Sequence, residues 1–230
     1  RLRTVTGVQT CALPISSDEY AVPLMEGKPY VHVEHEGRSV RVERVQDPEF
    51  ELKGYYAKTA RKCPPFCIHS MEAAPGVATV GEVEVFEFME KKMRDGTGVL
   101  IDARTPEWNK KGTIPGAVSY PFTLFTRPSD DPGWDDLLPR FGVVPSQESG
   151  VIEQTLESLG LAEESMVVGK WDFSQAKDLV LFCNGPACDQ SPRAIDGLLA
   201  VGYPAEKLFY YRGGMQMWEL WGLTTVVPEG

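Results

Sequence analysis

Basic residues are the charge this chain is short of. It has 23 lysines and arginines against 33 aspartates and glutamates, a formal charge of −10 and a pI near 4.9. That balance argues against nucleic acid or an anionic membrane as the main partner, because both demand a positive face. Long apolar runs are also lacking. Nothing in the 230 residues approaches the roughly 20 apolar positions of a membrane-spanning helix, so a soluble, cytoplasmic or periplasmic protein is expected. Cysteine is sparse, at five. Residues 5–15 (VTGVQTCALPI) show no helical or strand period and read like a translated sequencing adapter, so residues 1–16 are set aside from fold reasoning. Cys11 goes with them, leaving two close pairs, Cys63/Cys67 and Cys183/Cys188. Such pairs fit disulfides, a metal site or redox thiols, and spacing alone does not choose.

What is present divides in two. Residues 17–79 read as a β-rich extension. Val31 and Val33 alternate with polar neighbours, as do Val40 and Val42, and Glu36-Gly37 lies between them, which predicts a hairpin. His32 and His35 fall on opposite faces of that ribbon and are not expected to share a metal. Residues 49–60 are expected to form another short strand or loop. The segment Cys63-Pro64-Pro65-Phe66-Cys67, followed by His69, cannot be helical. A local disulfide or redox pair, free thiols, and a metal or cluster site at Cys63 and Cys67 all stay open.

From about residue 80 to 228 the pattern alternates. An amphipathic helix is predicted over 82–93, with Val85, Phe86, Met89 and Met93 on one face, then an apolar strand over 98–102. A second such strand, 178–182, precedes a helix, and a third, 207–211, precedes Gly213-Gly214 and a helix carrying Met217, Trp218 and Trp221. This is the alternation of a parallel α/β sheet. The polar stretch from about 123 to 177 is expected to be a functional or capping insertion, with one helix near 152–159. Tyr210, Tyr211, Trp218 and Trp221 are expected to be packing residues rather than a ligand box.

Cys183 directly follows the second strand, at the carboxyl end where open α/β sheets place their sites. Ser191 and Pro192 then suit a helix start, with Ser191 as N-cap. Loop N–H groups and the helix N-terminus would favour a thiolate at Cys183.

Over about residues 80–228 the sequence resembles the rhodanese family. Asp102-Ala103-Arg104 with Glu107 is similar to the family's strand-end D-x-R with its downstream acidic residue. Gly112-Thr113-Ile114-Pro115-Gly116-Ala117 resembles G-H-I-P-G-A with threonine for histidine, and Tyr211-Arg212-Gly213-Gly214 through Trp218 resembles its C-terminal signature. The resemblance implies a rhodanese-like parallel sheet flanked by helices, with the small β-rich extension added in front. It also implies Cys183 as a persulfide-forming nucleophile, fed by a sulfane-sulfur donor and emptied by a thiol acceptor (small molecule or protein), without a cofactor. Asn184, Gly185, Ala187, Asp189, Gln190 and Ser191 become the substrate-binding loop, and Asp102 and Arg104 structural braces. Cys188, five residues beyond Cys183, is read either as a thiol that resolves its persulfide or as an inert loop cysteine. The loop departs from the family's C-x-x-G-x-R-S: seven residues, not five, separate Cys183 from Ser191, and Asp189 stands where an arginine would give C-x5-R. Thiosulfate should therefore be held less well than in the family at large, a larger or protein-borne donor would suit the loop, and an arsenate reductase or phosphatase is disfavoured. The alternative is a non-catalytic redox-sensing or partner-binding module using Cys183 and Cys188.

Overall fold

The computed structural model describes residues 21–146 and 170–229. The segment 1–16 and the helix expected at 152–159 lie outside the described residues.

Strands β1 (Tyr30–His35) and β2 (Arg38–Glu43) form the expected hairpin, pairing Val31 with Val42 and Val33 with Val40. Glu36 (φ 49°) and Gly37 (φ 74°) both take the left-handed backbone, as the two-residue turn matching strand twist requires. Residues 49–60 contain no strand; they run as loop. Next come β3 (Ala78–Val80), α1 (Glu82–Phe88) with a π-helical continuation over Met89–Met93, β4 (Gly98–Asp102), α2 (Pro106–Asn109) and β5 (Val118–Ser119). The rest is α3 (Gly133–Leu137), β6 (Val144–Pro145), β7 (Trp171–Asp172), β8 (Asp178–Phe182), α4 (Gln190–Ala200), β9 (Leu208–Tyr211) and α5 (Gly214–Leu220). Five strands make one parallel sheet in the order β3-β9-β8-β4-β5.

The strand period of two sorts the central strands onto two cores. Leu179 and Leu181 of β8, with Ile101 of β4, face α4; Val180, Phe182 and Leu100 face the opposite way. The second core is completed by α1, by Trp218 of α5, and by Val31, Val33 and Val42 of the hairpin. The extension is thus part of the domain's packing. Its edges are tied by backbone bonds from Val45 to Gly222 and from Thr224 to Glu43.

The described part of the stretch expected to be a functional or capping insertion, 123–146 and 170–177, contributes to the first core. Phe125, Trp134, Leu138, Phe141 and Val143 are all buried there beside Ile195 and Leu198 of α4. The polar text between these residues hid them, because short helical turns bury single apolar residues without a visible period. Trp134 is fully enclosed and its indole N–H donates to the Pro128 carbonyl at 2.9 Å. Trp134→Ala should therefore cost about 3–5 kcal/mol in chemical denaturation; a loss below about 1 kcal/mol would show this segment to be peripheral. Tyr210, Tyr211 and Trp218 are buried as expected, whereas Trp221 is exposed, with the Arg44 guanidinium over its ring. No helix among the described residues is long and apolar enough to cross a membrane.

Candidate active site

Strand β8 delivers Cys183 to the carboxyl edge of the sheet, and three neighbours hold it there. The backbone N–H groups of Met215 and Gln216, at the start of α5, donate to the carbonyls of Cys183 and Asn184, each at 3.0 Å. Gly214 sits so close that a Cβ on it would lie 2.3 Å from the Cys183 carbonyl oxygen. Ser191, expected as the N-cap of α4, is inside the helix, and Asp189 occupies the cap position. The reason is a competing partner: the buried Ser191 hydroxyl donates to the Cys183 sulfur at 3.1 Å.

The sulfur accepts that hydroxyl, and as a thiol it donates to the Cys188 carbonyl at 3.3 Å. Burial pushes the Cys183 thiol up. The polar surroundings of the sulfur, Cys188, Ser191 and Gly185, outweigh it, and the value falls from 9.0 to about 7. Cys188 moves the opposite way, raised by its hydrogen bond to Cys183 and by its own burial, so it stays a thiol. Neither cysteine is in a disulfide. The Cys188 thiol itself donates to Gln190 Oε1 at 3.7 Å. The thiolate absorbance lost in Cys183→Ser should accordingly titrate with a midpoint near pH 7, present above and lost below; a midpoint near 9 would show the hydrogen bonds to be absent in solution.

A cavity of about 220 Å³ opens above this pair. One wall is the loop itself: Asn184, Gly185, Ala187, Cys188, Asp189 and Gln190. The expected substrate-binding set is brought together there except for Ser191, which lies beneath, against the sulfur. Cys183 is 1% exposed, so Cys188 is the cysteine that meets the cavity.

The opposite wall was not foreseen from sequence: Tyr55, Arg61, Pro65 and Phe66 of the extension, Trp108 of α2, and Gln216 of α5. Residues 55–70 cross the carboxyl ends of β4, β8 and β9. Tyr55 lies against Trp108 with the rings tilted 53° and centroids 4.3 Å apart; His69 N–H donates to the Pro186 carbonyl at 2.9 Å; and Arg212 donates to the carbonyls of His69 and Ser70. Cys63 and Cys67 are joined in a disulfide around cis-Pro64 and cis-Pro65, which takes both sulfurs out of the free-thiol and metal-ligand readings. Among the described residues no cluster of His, Cys, Asp or Glu is arranged to hold a metal ion. The aromatic pair Tyr55-Tyr56, unusual in so polar a segment, was the available signal for this wall.

Asp102 and Arg104 are buried beneath the loop as an ion pair. Arg104 bonds both carboxylate oxygens, at 2.8 and 2.6 Å, and Asn109 and Thr113 also donate to Asp102. Threonine at position 113 thus keeps a donor where the family motif has histidine. Arg104 passes the chain on: its Nη1 donates to the Tyr56 hydroxyl at 3.2 Å, and that hydroxyl donates to Asn184 Oδ1 at 2.7 Å. The brace therefore reaches the residue after Cys183 through a tyrosine of the extension. Burial holds the Tyr56 phenol above its usual range, so it remains a donor.

Solved structures with similar chains include a human single-domain sulfurtransferase, 21% identical, covering 63% of this chain and 96% of its own with a TM-score of 0.37. Thiosulfate sulfurtransferase from Pseudomonas aeruginosa is 18% identical over 69% of this chain and 22% of its own, TM-score 0.39. An As-Sb reductase from Leishmania major is 14% identical over 64% and 79%, TM-score 0.35. No curated protein sequence matches the chain. The sequence profile of the rhodanese-like domain matches residues 86–220, more than half the chain, on the elements that carry Asp102, Arg104 and Cys183, and the chain belongs to the rhodanese-like domain family.

Proposed function

We propose that this protein is a sulfurtransferase that carries a persulfide on Cys183. The observations that carry the reading meet at one sulfur: the Ser191 hydroxyl donates to Cys183 at 3.1 Å, and the Cys183 thiol is drawn below its ordinary value. Such surroundings stabilise a thiolate without a general base, and a thiolate is the attacking species. It attacks the outer sulfur of a sulfane donor. The donor's S–S bond breaks, its electron pair leaves with the departing anion, and a new S–S bond forms on Cys183. An acceptor thiolate then takes that outer sulfur and returns Cys183 as thiolate. The same surroundings that hold the thiolate serve the persulfide anion, in the manner of an oxyanion hole.

One observation favours a second reading. Cys183 is almost wholly buried under Cys188, so a donor must displace the Cys188 side chain to reach it. A redox sensor that closes a Cys183–Cys188 disulfide needs access only for a peroxide, which is smaller than a sulfane-sulfur donor. The readings separate when the protein is mixed with thiosulfate and, separately, with an organic persulfide, freed of donor, and assayed for sulfane sulfur and free thiols. About one sulfane sulfur per chain from at least one donor, released by an added thiol, supports transfer. No sulfane sulfur from either donor, with loss of two thiols under peroxide, supports the sensor.

A further inference from the structure

We propose that the extension builds a specificity subsite, at Arg61, Phe66 and Trp108, for the organic group of a monoanionic donor of the thiosulfonate class, R–SO2–S−. The inference rests on the sulfurtransferase reading and adds to it the chemistry of the donor.

The cavity's charge is the first reason. Arg61 is its one lining cation among the described residues, and the Asp189 carboxylate that lines the same space is paired with Arg193 at 3.9 Å, in a chain of formal charge −10. Thiosulfate would bring two negative charges to a single lining guanidinium, without the arginine that the family's loop motif supplies. A thiosulfonate brings one. Arg61 is built to meet it: its guanidinium lies 3.8 Å over the Tyr55 ring and 5.5 Å from that of Phe66, and one Nη donates to the Tyr55 carbonyl at 2.7 Å. Its Nε–H is buried without a partner among the described residues, a donor left for an oxyanion.

Shape is the second reason. About 220 Å³ is room for roughly seven waters at about 30 Å³ each, more than a thiosulfate fills. The surplus faces the rings of Tyr55, Phe66 and Trp108, and apolar walls with few placed polar groups are the mark of an organic ligand. The disulfide loop is bonded to the catalytic loop through His69 and Pro186, so Phe66 is held at the mouth. In the bound donor the outer sulfur points down past Cys188, the sulfonyl oxygens face Arg61, and R lies on the rings. Transfer is balanced: Cys183–S− and R–SO2–S− give Cys183–S–S− and the sulfinate R–SO2−, whose R group leaves along the same wall.

The test compares benzenethiosulfonate with methanethiosulfonate as donors to the full chain, reading sulfinate release. The aryl donor is expected to be faster by about tenfold or more. Phe66→Ala, at an exposed position, and Trp108→Ala should each bring that ratio to within about threefold of one. A wild-type ratio near one, or one unchanged in both variants, overturns the subsite and leaves sulfur transfer standing. Calorimetric titration of Cys183→Ser, which transfers nothing, with benzenesulfinate and methanesulfinate reads the subsite without chemistry. About tenfold tighter aryl binding, lost in Cys183→Ser/Phe66→Ala, supports it, and equal binding overturns it. Aryl-selective binding with no loading from any donor would overturn the transfer reading instead.

Discussion

Cys183→Ser should reduce sulfur loading from any donor by at least about a thousandfold, while Cys188→Ser should still load. The difference follows from how the two sulfurs are held. Cys183 accepts the Ser191 hydroxyl and is drawn down to about 7; Cys188 is pushed the other way and is held as a thiol. A serine at 183 is a far weaker nucleophile with no lowered thiol, so the loss approaches the whole contribution of covalent catalysis. Serine at 188 keeps a donor of similar reach and removes the bulk that lies between the cavity and Cys183. Its loading should persist, with the thiolate midpoint changed little, but the loaded chain should lose the route to a Cys183–Cys188 disulfide. Single-turnover sulfite or sulfinate release measures both. Loading in Cys183→Ser together with none in Cys188→Ser would reverse the two roles.

The second large effect is on stability. Arg104→Met should destabilise the fold by about 3–5 kcal/mol, because it leaves the Asp102 carboxylate, 0% exposed, without its counter-charge. For a chain of this size that is a fall in Tm of roughly 6–20 °C. The same network predicts a milder and more informative variant. Tyr56→Phe removes the link between Arg104 and Asn184, each of which loses a hydrogen-bond partner. It should cost about 1–3 kcal/mol and also slow sulfur loading, since the backbone after Cys183 loses its side-chain anchor. Thermal melts and loading rates measured on both variants check this. Unchanged loading in Tyr56→Phe would show that the extension braces the fold only.

Much of this was legible in the sequence, and for identifiable reasons. Strands β4 and β8 are unbroken apolar runs because both faces of a parallel sheet are buried, so 98–102 and 178–182 matched residue for residue. The hairpin was legible because one face is buried and the turn needs Glu36-Gly37. Cys183 was legible because strand-end position and the following helix start are both local signals. The cavity's far wall was not, because Tyr55, Arg61 and Phe66 sit in loop with no period and reach Cys183's surroundings across more than a hundred residues. Ser191 showed the limit of a local rule: a good N-cap residue was taken instead by the nearest buried sulfur, and Asp189 took the cap. The stretch 123–146 misled because its apolar residues are spaced by prolines and acids, although Trp134 and Phe141 are among the most deeply buried side chains.

The most direct measurement of the central claim is peptide mapping by mass spectrometry after the chain has been treated with a sulfane-sulfur donor and its thiols blocked. One added sulfur on the peptide holding Cys183, removed by a subsequent thiol and absent in Cys183→Ser, is the result the site geometry predicts. Added sulfur on Cys188 with none on Cys183, or none on either after exposure to thiosulfate, benzenethiosulfonate and an organic persulfide in turn, would contradict it.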